Sequence, residues 1–480
     1  MKRKHSQVEN TKEISENFIK KCKEEFNGNP LNRITKNAIT TLGSQLSTIN
    51  HERLKDINHL FSVSIKKKGV KATDQQRSGR CWMFSGLNIF RHVLINCLEL
   101  EQFEFSETYL FFYDKLERSN VYLQWFIDNK EVDKKDNRYF EYMVCEYMGD
   151  GGWYSTFSNL VEKYGLVPKS VYNETFQSED TDDMNQILME QLNRCVNKFM
   201  GNKLTVKEMG EEKNKTMKNI YNILVNFLGE PPSKFVWNFV IDKDDNSTVN
   251  TINNMDPIKF KKMIMPAVNT YEFVTLCNIP SRKINTLYEL ELSKNIYEGV
   301  NEKMLNVDIN EMEKILIKSV NAGIGVWIGV DMSQKFNYYY SALDDVLDDG
   351  EIIFGKDTKE NTKKDNMILH NVSANHAMVI TGFNLDEKGN LKDLQCENSW
   401  GSVDSDIPGQ DGFLWMSLSW FRKYVILMSV NKSFLSRSMV KSLKKEVEVI
   451  KPYDSLSKLT RISGVNSPTN YKDILRKFKR

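Results

Sequence analysis

The chain has 480 residues, of which 40% are hydrophobic and 11% aromatic, with a formal net charge of +2. A near-neutral total by itself implies neither a nucleic-acid-binding nor a membrane protein. No apolar run approaches the length of a bilayer span, and the first 25 residues lack the apolar core of a signal peptide. Seven scattered cysteines, with no CxxC pair and no Cys/His cluster, support neither a zinc site nor a disulfide framework. A cytoplasmic globular protein with no metal or organic cofactor is expected.

Residues 1 to about 24 are polar and basic, and a surface helix is expected around Ile14 to Phe26. The first stretch with chemical content is Asp74-Gln75-Gln76-Arg77-Ser78-Gly79-Arg80-Cys81-Trp82-Met83-Phe84-Ser85. Cys81 stands where a Gly-containing loop enters an apolar segment running to Leu100. A helix hydrophobic on nearly every face is a buried one, and its N-terminal N–H groups and dipole favour a thiolate, the nucleophilic form. Gln75, six residues upstream, has an amide able to donate to a developing oxyanion.

Next, Asp150-Gly151-Gly152-Trp153-Tyr154 reads as a tight turn. A glycine pair there lets a peptide backbone approach and pair with main-chain groups. Between about 170 and 320, helical spacing appears at Met184–Gly201 and Met217–Leu228, the second stopped by Gly229 and Pro231-Pro232. Strands are expected at Phe235–Val240 and Phe273–Leu276. Further short strands follow at Val326–Val330, His376–Phe383, Leu394–Asn398 and Gly412–Met416.

Of six histidines, only His376 opens a buried strand. His5, His51, His59, His92 and His370 lie in polar or structural contexts. Asn398, with Trp400 two residues on, offers an acceptor for the ring N–H of a basic histidine and an aromatic shield against water. Cys81, His376, Asn398 and Gln75 therefore form a candidate catalytic set, and Gly151 and Gly152 a candidate substrate-binding pair.

At these residues the chain resembles the papain-like cysteine peptidases and, within them, the bleomycin hydrolase family. The sequence Ser78-Gly79-Arg80-Cys81-Trp82 departs from the papain form in the direction of that family. The 295-residue interval from Cys81 to His376 far exceeds the roughly 130 to 150 of compact papain-like enzymes, so a large insertion is expected. The resemblance extends over roughly residues 25 to 456, including Phe103-Glu104-Phe105-Ser106, Gly229-Glu230-Pro231-Pro232 and Val326-Trp327-Ile328-Gly329. A Gln follows the glycine pair in most of the family; here Trp153 does.

The resemblance implies an α+β papain-like two-lobed fold with a large helical insertion, and a cysteine aminopeptidase acting on peptides. It divides the chain into an N-terminal arm (1–70), a helical lobe with Cys81 (71–170), an insertion (171–325), a β lobe with His376 and Asn398 (326–440) and a C-terminal arm and tail (441–480). It also implies that the insertion holds six subunits in a ring. In the family the chain end lies in the cleft and its carboxylate anchors a substrate's amino group. Ile450-Lys451-Pro452-Tyr453-Asp454-Ser455-Leu456 looks like that final segment, yet about 20 residues follow. From 455 on, Lys458, Arg461, Lys472, Arg476, Lys477, Lys479 and Arg480 against Asp473 give a net charge of +6. Such a tail is trimmed, blocks or leaves the cleft, or binds a polyanion. An endopeptidase, or a ring-shaped nucleic-acid-binding protein, are the alternatives it opens.

Overall fold

Residues 16–42 fold as two amphipathic helices, α1 (Glu16–Gly28) and α2 (Pro30–Leu42). The Ser15 hydroxyl caps the first by accepting from the Phe18 N–H, and Asn29 caps the second ahead of Pro30 at its first position. In this computed structural model, which describes residues 13–131, 137–201, 203–243, 246–264, 269–350, 353, 361–402 and 411–465, they belong to a unit of Met1–Ile57 and Val346–Glu360. Two short helices, α3 (Ser44–Ser47) and α4 (His51–Leu54), complete it.

Everything that concerns the candidate site lies in the second unit, Asn58–Asp345 with Asn361–Arg480. Its axis is α5 (Cys81–Cys97), whose apolar and polar faces are both buried from Cys81 to His92. Such a helix can exist only where packing surrounds it. On one side it meets α6 (Glu107–Asp128) and α8 (Tyr154–Tyr164), with α7 (Arg138–Cys145) between them in sequence. On the other it meets the sheet through β7 (Val326–Val330) and β10 (His376–Leu385).

Residues 171–325 split between two roles. Helices α9 (Phe176–Glu179), α10 (Asp182–Gly201) and α11 (Val206–Leu228) pack beside α6, followed by the hairpin β2 (Phe235–Lys243) and β3 (Asn246–Met255) and by α12 (Pro257–Ile264). The rest, β4 (Phe273–Cys277), β5 (Leu287–Leu290), β6 (Lys303–Asn306) and α13 (Ile309–Asn321), builds the sheet itself. Helix α11 begins eleven residues before the apolar spacing suggests, because a Thr205–Glu208 capping box starts it within a Lys/Glu-rich segment.

The sheet has 12 strands in the order β14-β5-β6-β4-β13-β7-β10-β11-β12-β9-β8, with β1 (Val63–Ser64) also on β10. Here β8 and β9 are Phe336–Asn337 and Ala342–Leu343, β11 is Leu391–Glu397, β12 is Phe413–Ser417, β13 is Val425–Asn431 and β14 is Val447–Ile450. Its central strand β7 is buried throughout and β10 from His376 to Phe383, because α5 covers one face and α13 packs against the same strands. After α14 (Lys363–Ile368), α15 (Leu418–Tyr424) and α16 (Arg437–Ser442), the described chain ends with α17 (Ser455–Thr460) and a segment to Val465. The stretch Asn466–Arg480, which carries most of the basic tail, lies outside the described residues.

Candidate active site

Cys81 is the first residue of α5 and is fully buried. The loop before it is fixed from below by a buried ion pair: the Arg80 guanidinium donates to Glu174 at 2.8 Å and to the Ser78 hydroxyl at 2.8 Å. From the side, the carboxylate of Asp150 receives the Lys115 ammonium at 2.6 Å, the Thr181 hydroxyl at 2.5 Å and the Asn185 amide at 2.8 Å. The same residue's carbonyl takes the Trp82 indole N–H at 2.7 Å. The turn carrying Gly151 and Gly152 is thereby tied to the start of the Cys81 helix.

His376 is the first residue of β10, and Asn398 follows the last residue of β11. The antiparallel register pairs Val379 with Glu397 and Ile380 with Cys396, so the position opposite Asn398 is two residues from His376 and on the same face. The His376 Nε2 lies 2.8 Å from Asn398 Oδ1. The backbone N–H of Ser399 donates to that same oxygen at 2.8 Å, which identifies it as the amide carbonyl. An acceptor there requires the proton on Nε2, leaving Nδ1 with its lone pair, and Nδ1 has no hydrogen-bond partner. The Trp400 ring covers the imidazole, with centroids 4.9 Å apart.

Gln75 is held at several points. Its backbone N–H donates to the Ser399 carbonyl at 2.8 Å, and its side-chain oxygen accepts from the Ser399 hydroxyl at 2.6 Å. The side-chain nitrogen donates to the Ser78 carbonyl at 2.6 Å and to the Val465 carbonyl at 3.1 Å. With the Gly401 N–H on the Thr73 carbonyl, the Cys loop and the Asn398 loop are stitched together. Gly152 donates its N–H to the Ile462 carbonyl at 3.1 Å, forming an antiparallel bridge with the chain's own C-terminal segment. At Gly151 a side chain would overlap that carbonyl.

The electrostatics depart from the expectation of a ready thiolate. Burial is the dominant influence on Cys81 and pushes its pKa up to about 12, although the N–H groups of Ala377, Trp82 and Cys81 itself act the other way. Burial likewise lowers His376 to about 4, opposed by the Asn398 hydrogen bond. The same burial favours the neutral form of each group. The N–H of Ala377, the residue after His376, acts on the sulfur from the β side, so helix N-terminus and strand start meet at one thiol.

Sequence reasoning named Cys81, His376, Asn398, Gln75, Gly151 and Gly152. It missed Ser399, which fixes both Gln75 and Asn398, and Asp150, whose carboxylate anchors the loop. Among the described residues there is no cluster of three or more metal-ligating side chains and no helix long and apolar enough to cross a membrane.

The sequence profile described as the Peptidase C1-like family matches residues 13–457. Human bleomycin hydrolase is 29% identical over 445 residues, covering 91% of this chain and 96% of that protein. Aminopeptidase C of Listeria monocytogenes is 30% identical over 455 residues, covering 94% and 99%. The crystal structure of PepW from Lactobacillus rhamnosis HN001 superposes with a TM-score of 0.85 at 27% identity, covering 94% of this chain and 100% of that one.

Proposed function

The chain belongs to the Peptidase C1-like family and is a papain-like cysteine peptidase, and on that premise we propose that it is an aminopeptidase acting on peptides through Cys81, His376 and Asn398. The observation that carries this reading is the tautomer of His376. Asn398 Oδ1 holds the Nε2 proton, so the free lone pair on Nδ1 is the base that receives the thiol proton.

In the proposed cycle a substrate replaces the chain segment in the groove and pairs with the Gly152 N–H. The Cys81 sulfur attacks the carbonyl carbon while His376 Nδ1 takes the thiol proton. The oxyanion is held by Gln75 Nε2 and the backbone N–H of Cys81. His376 returns its proton to the leaving amine, and water then hydrolyses the thioester. Oligomerisation through residues 171–325 into a six-membered ring, and a cytoplasmic setting, belong to the same proposal; light scattering of the purified chain tests the first.

The name aminopeptidase C and the bleomycin hydrolase relatives support an exopeptidase. One local observation favours the endopeptidase alternative: a cavity of about 350 Å³ beside Gly149 and Gly151 is lined by Lys458 and Arg461, and its carboxylate, Glu146, is already paired with Arg461. A cationic lining does not attract a free amino group. Hydrolysis of matched peptides with free and acetylated N-termini decides: aminopeptidase activity requires that acetylation abolish cleavage, and Cys81→Ala must abolish both.

A further inference from the structure

Helix α8 begins two residues after Gly152, and its first turns border a second, polar cavity. About 310 Å³ in volume, it lies between α8, the start of β4 and the segment leading into β6. Two hydroxyls line it without a bond to make. Tyr154 and Ser158, one helical turn apart, are each more than nine-tenths buried, and neither side-chain oxygen has a hydrogen-bond partner. Buried hydroxyls in folded proteins are nearly always paired, so two left open at one cavity point to a ligand that pairs them.

Glu302 supplies a charge beside them. Its side chain is buried, and the groups that support its carboxylate are all neutral: the Ser155 N–H at 2.9 Å and the hydroxyls of Ser155 and Thr275. With no cation to offset it, burial raises its pKa above the ordinary carboxylate value. The other charges nearby are already matched. The Lys303 ammonium lies 3.2 Å from Glu289, and Glu162, whose charge reaches the Tyr154 phenol, holds Lys261. Tyr154 and Phe273, stacked with centroids 5.3 Å apart, give the cavity an aromatic wall. Water satisfies hydroxyls but leaves a buried carboxylate without a countercharge. A primary ammonium brings three N–H donors and a positive charge together, and aromatic faces attract it.

We infer that this cavity binds a small primary ammonium compound of amino-acid size, its N–H groups donating to Glu302, Tyr154 and Ser158. The site is separate from Cys81 and does not depend on which residue is the nucleophile. It is joined to the substrate turn all the same, because Glu302 holds the Ser155 N–H in the first turn of α8.

Calorimetric titration of the full chain with n-butylammonium chloride near neutral pH is the test, with 1-butanol as the neutral probe of equal length. The expected result is saturable one-to-one uptake of the ammonium, about tenfold or more tighter than that of the alcohol. Glu302→Gln keeps an oxygen for the Ser155 N–H and is expected to weaken uptake by about tenfold or more. Tyr154→Phe and Ser158→Ala leave Glu302 in place and are expected to weaken it by about threefold or more each. Melting curves check that each variant is folded, and the two hydroxyl variants decide alone if Glu302→Gln is not. Undiminished uptake in the folded variants places the ammonium elsewhere and overturns the site, as does the absence of saturable uptake by the unaltered chain. Equal affinity for 1-butanol overturns the ammonium assignment, because the cavity then selects shape and not charge.

Discussion

Asn398 accepts from two donors with one oxygen, the His376 imidazole and the Ser399 backbone N–H, each at 2.8 Å. The second bond prevents the amide from flipping, so the first dictates which imidazole nitrogen is basic. Asn398→Ala removes that bias and lets the ring populate the wrong tautomer and rotate. Turnover is expected to fall by about tenfold or more, with KM little changed. Steady-state kinetics on an aminoacyl amide check it; an unchanged kcat means another group orients the ring.

Gln75 combines a donor and an acceptor, and the two ends have separable duties. Gln75→Glu keeps an oxygen for the Ser399 hydroxyl but deletes the N–H donors. Loss of one oxyanion donor is expected to cost about 10²-fold in kcat, with a melting temperature closer to the unaltered chain than that of Gln75→Ala. Parallel kinetics and thermal melts of the two variants separate these duties.

The burial that lowers His376 to about 4 has a consequence for stability. Between that value and the ordinary 6.5, the unfolded chain binds a proton that the folded chain refuses, so stability falls as pH drops through 6.5. At pH 5 this group alone removes on the order of 2 kcal/mol relative to pH 8. Urea midpoints at pH 8 and pH 5 are expected to differ less in His376→Gln than in the unaltered chain. Equal pH sensitivity of the two proteins contradicts a neutral, buried ring.

The two glycines of the turn differ in what surrounds them. A side chain on Gly152 would meet the Trp82 indole at 2.7 Å, whereas one on Gly151 would first overlap the backbone of Ile462 and Ser463. Gly151→Ala is therefore expected to dislodge residues 462–465 without unfolding the helix that carries Cys81. Alkylation of Cys81 by iodoacetamide should quicken by roughly tenfold, the factor that about 1.4 kcal/mol of lost binding produces, while peptide hydrolysis declines. Slower or unchanged alkylation means the segment does not shield the sulfur.

The candidate catalytic residues stand out in the sequence because each sits in a distinctive local setting: a thiol at a loop-to-helix junction, a histidine opening an apolar strand, an Asn ahead of a Trp. Most supporting contacts were not legible there, since they join residues tens to hundreds of positions apart. The buried Glu397 carboxylate, 2.6 Å from His92 Nε2 and 3.0 Å from an Arg91 nitrogen, ties α5 to the end of β11. From sequence His92 is simply one more polar residue in an apolar helix. The ready thiolate expected from the helix dipole was likewise a local argument, and burial of the sulfur outweighs it. Strand β4 was expected, at Phe273–Leu276, but as part of the insertion; that it joins the main sheet depends on β13, which lies far along the chain, and β5 and β6 were not singled out.

The Gln75 side-chain amide, held by the Ser399 hydroxyl at its oxygen and by the Ser78 carbonyl at its nitrogen, has lost its rotational freedom before any ligand arrives. The ordering entropy is surrendered once, when the chain folds, and no turnover repeats it. On the role proposed for Gln75, a mutation that merely loosens Ser399 would slow turnover without touching the proposed nucleophile, base or substrate.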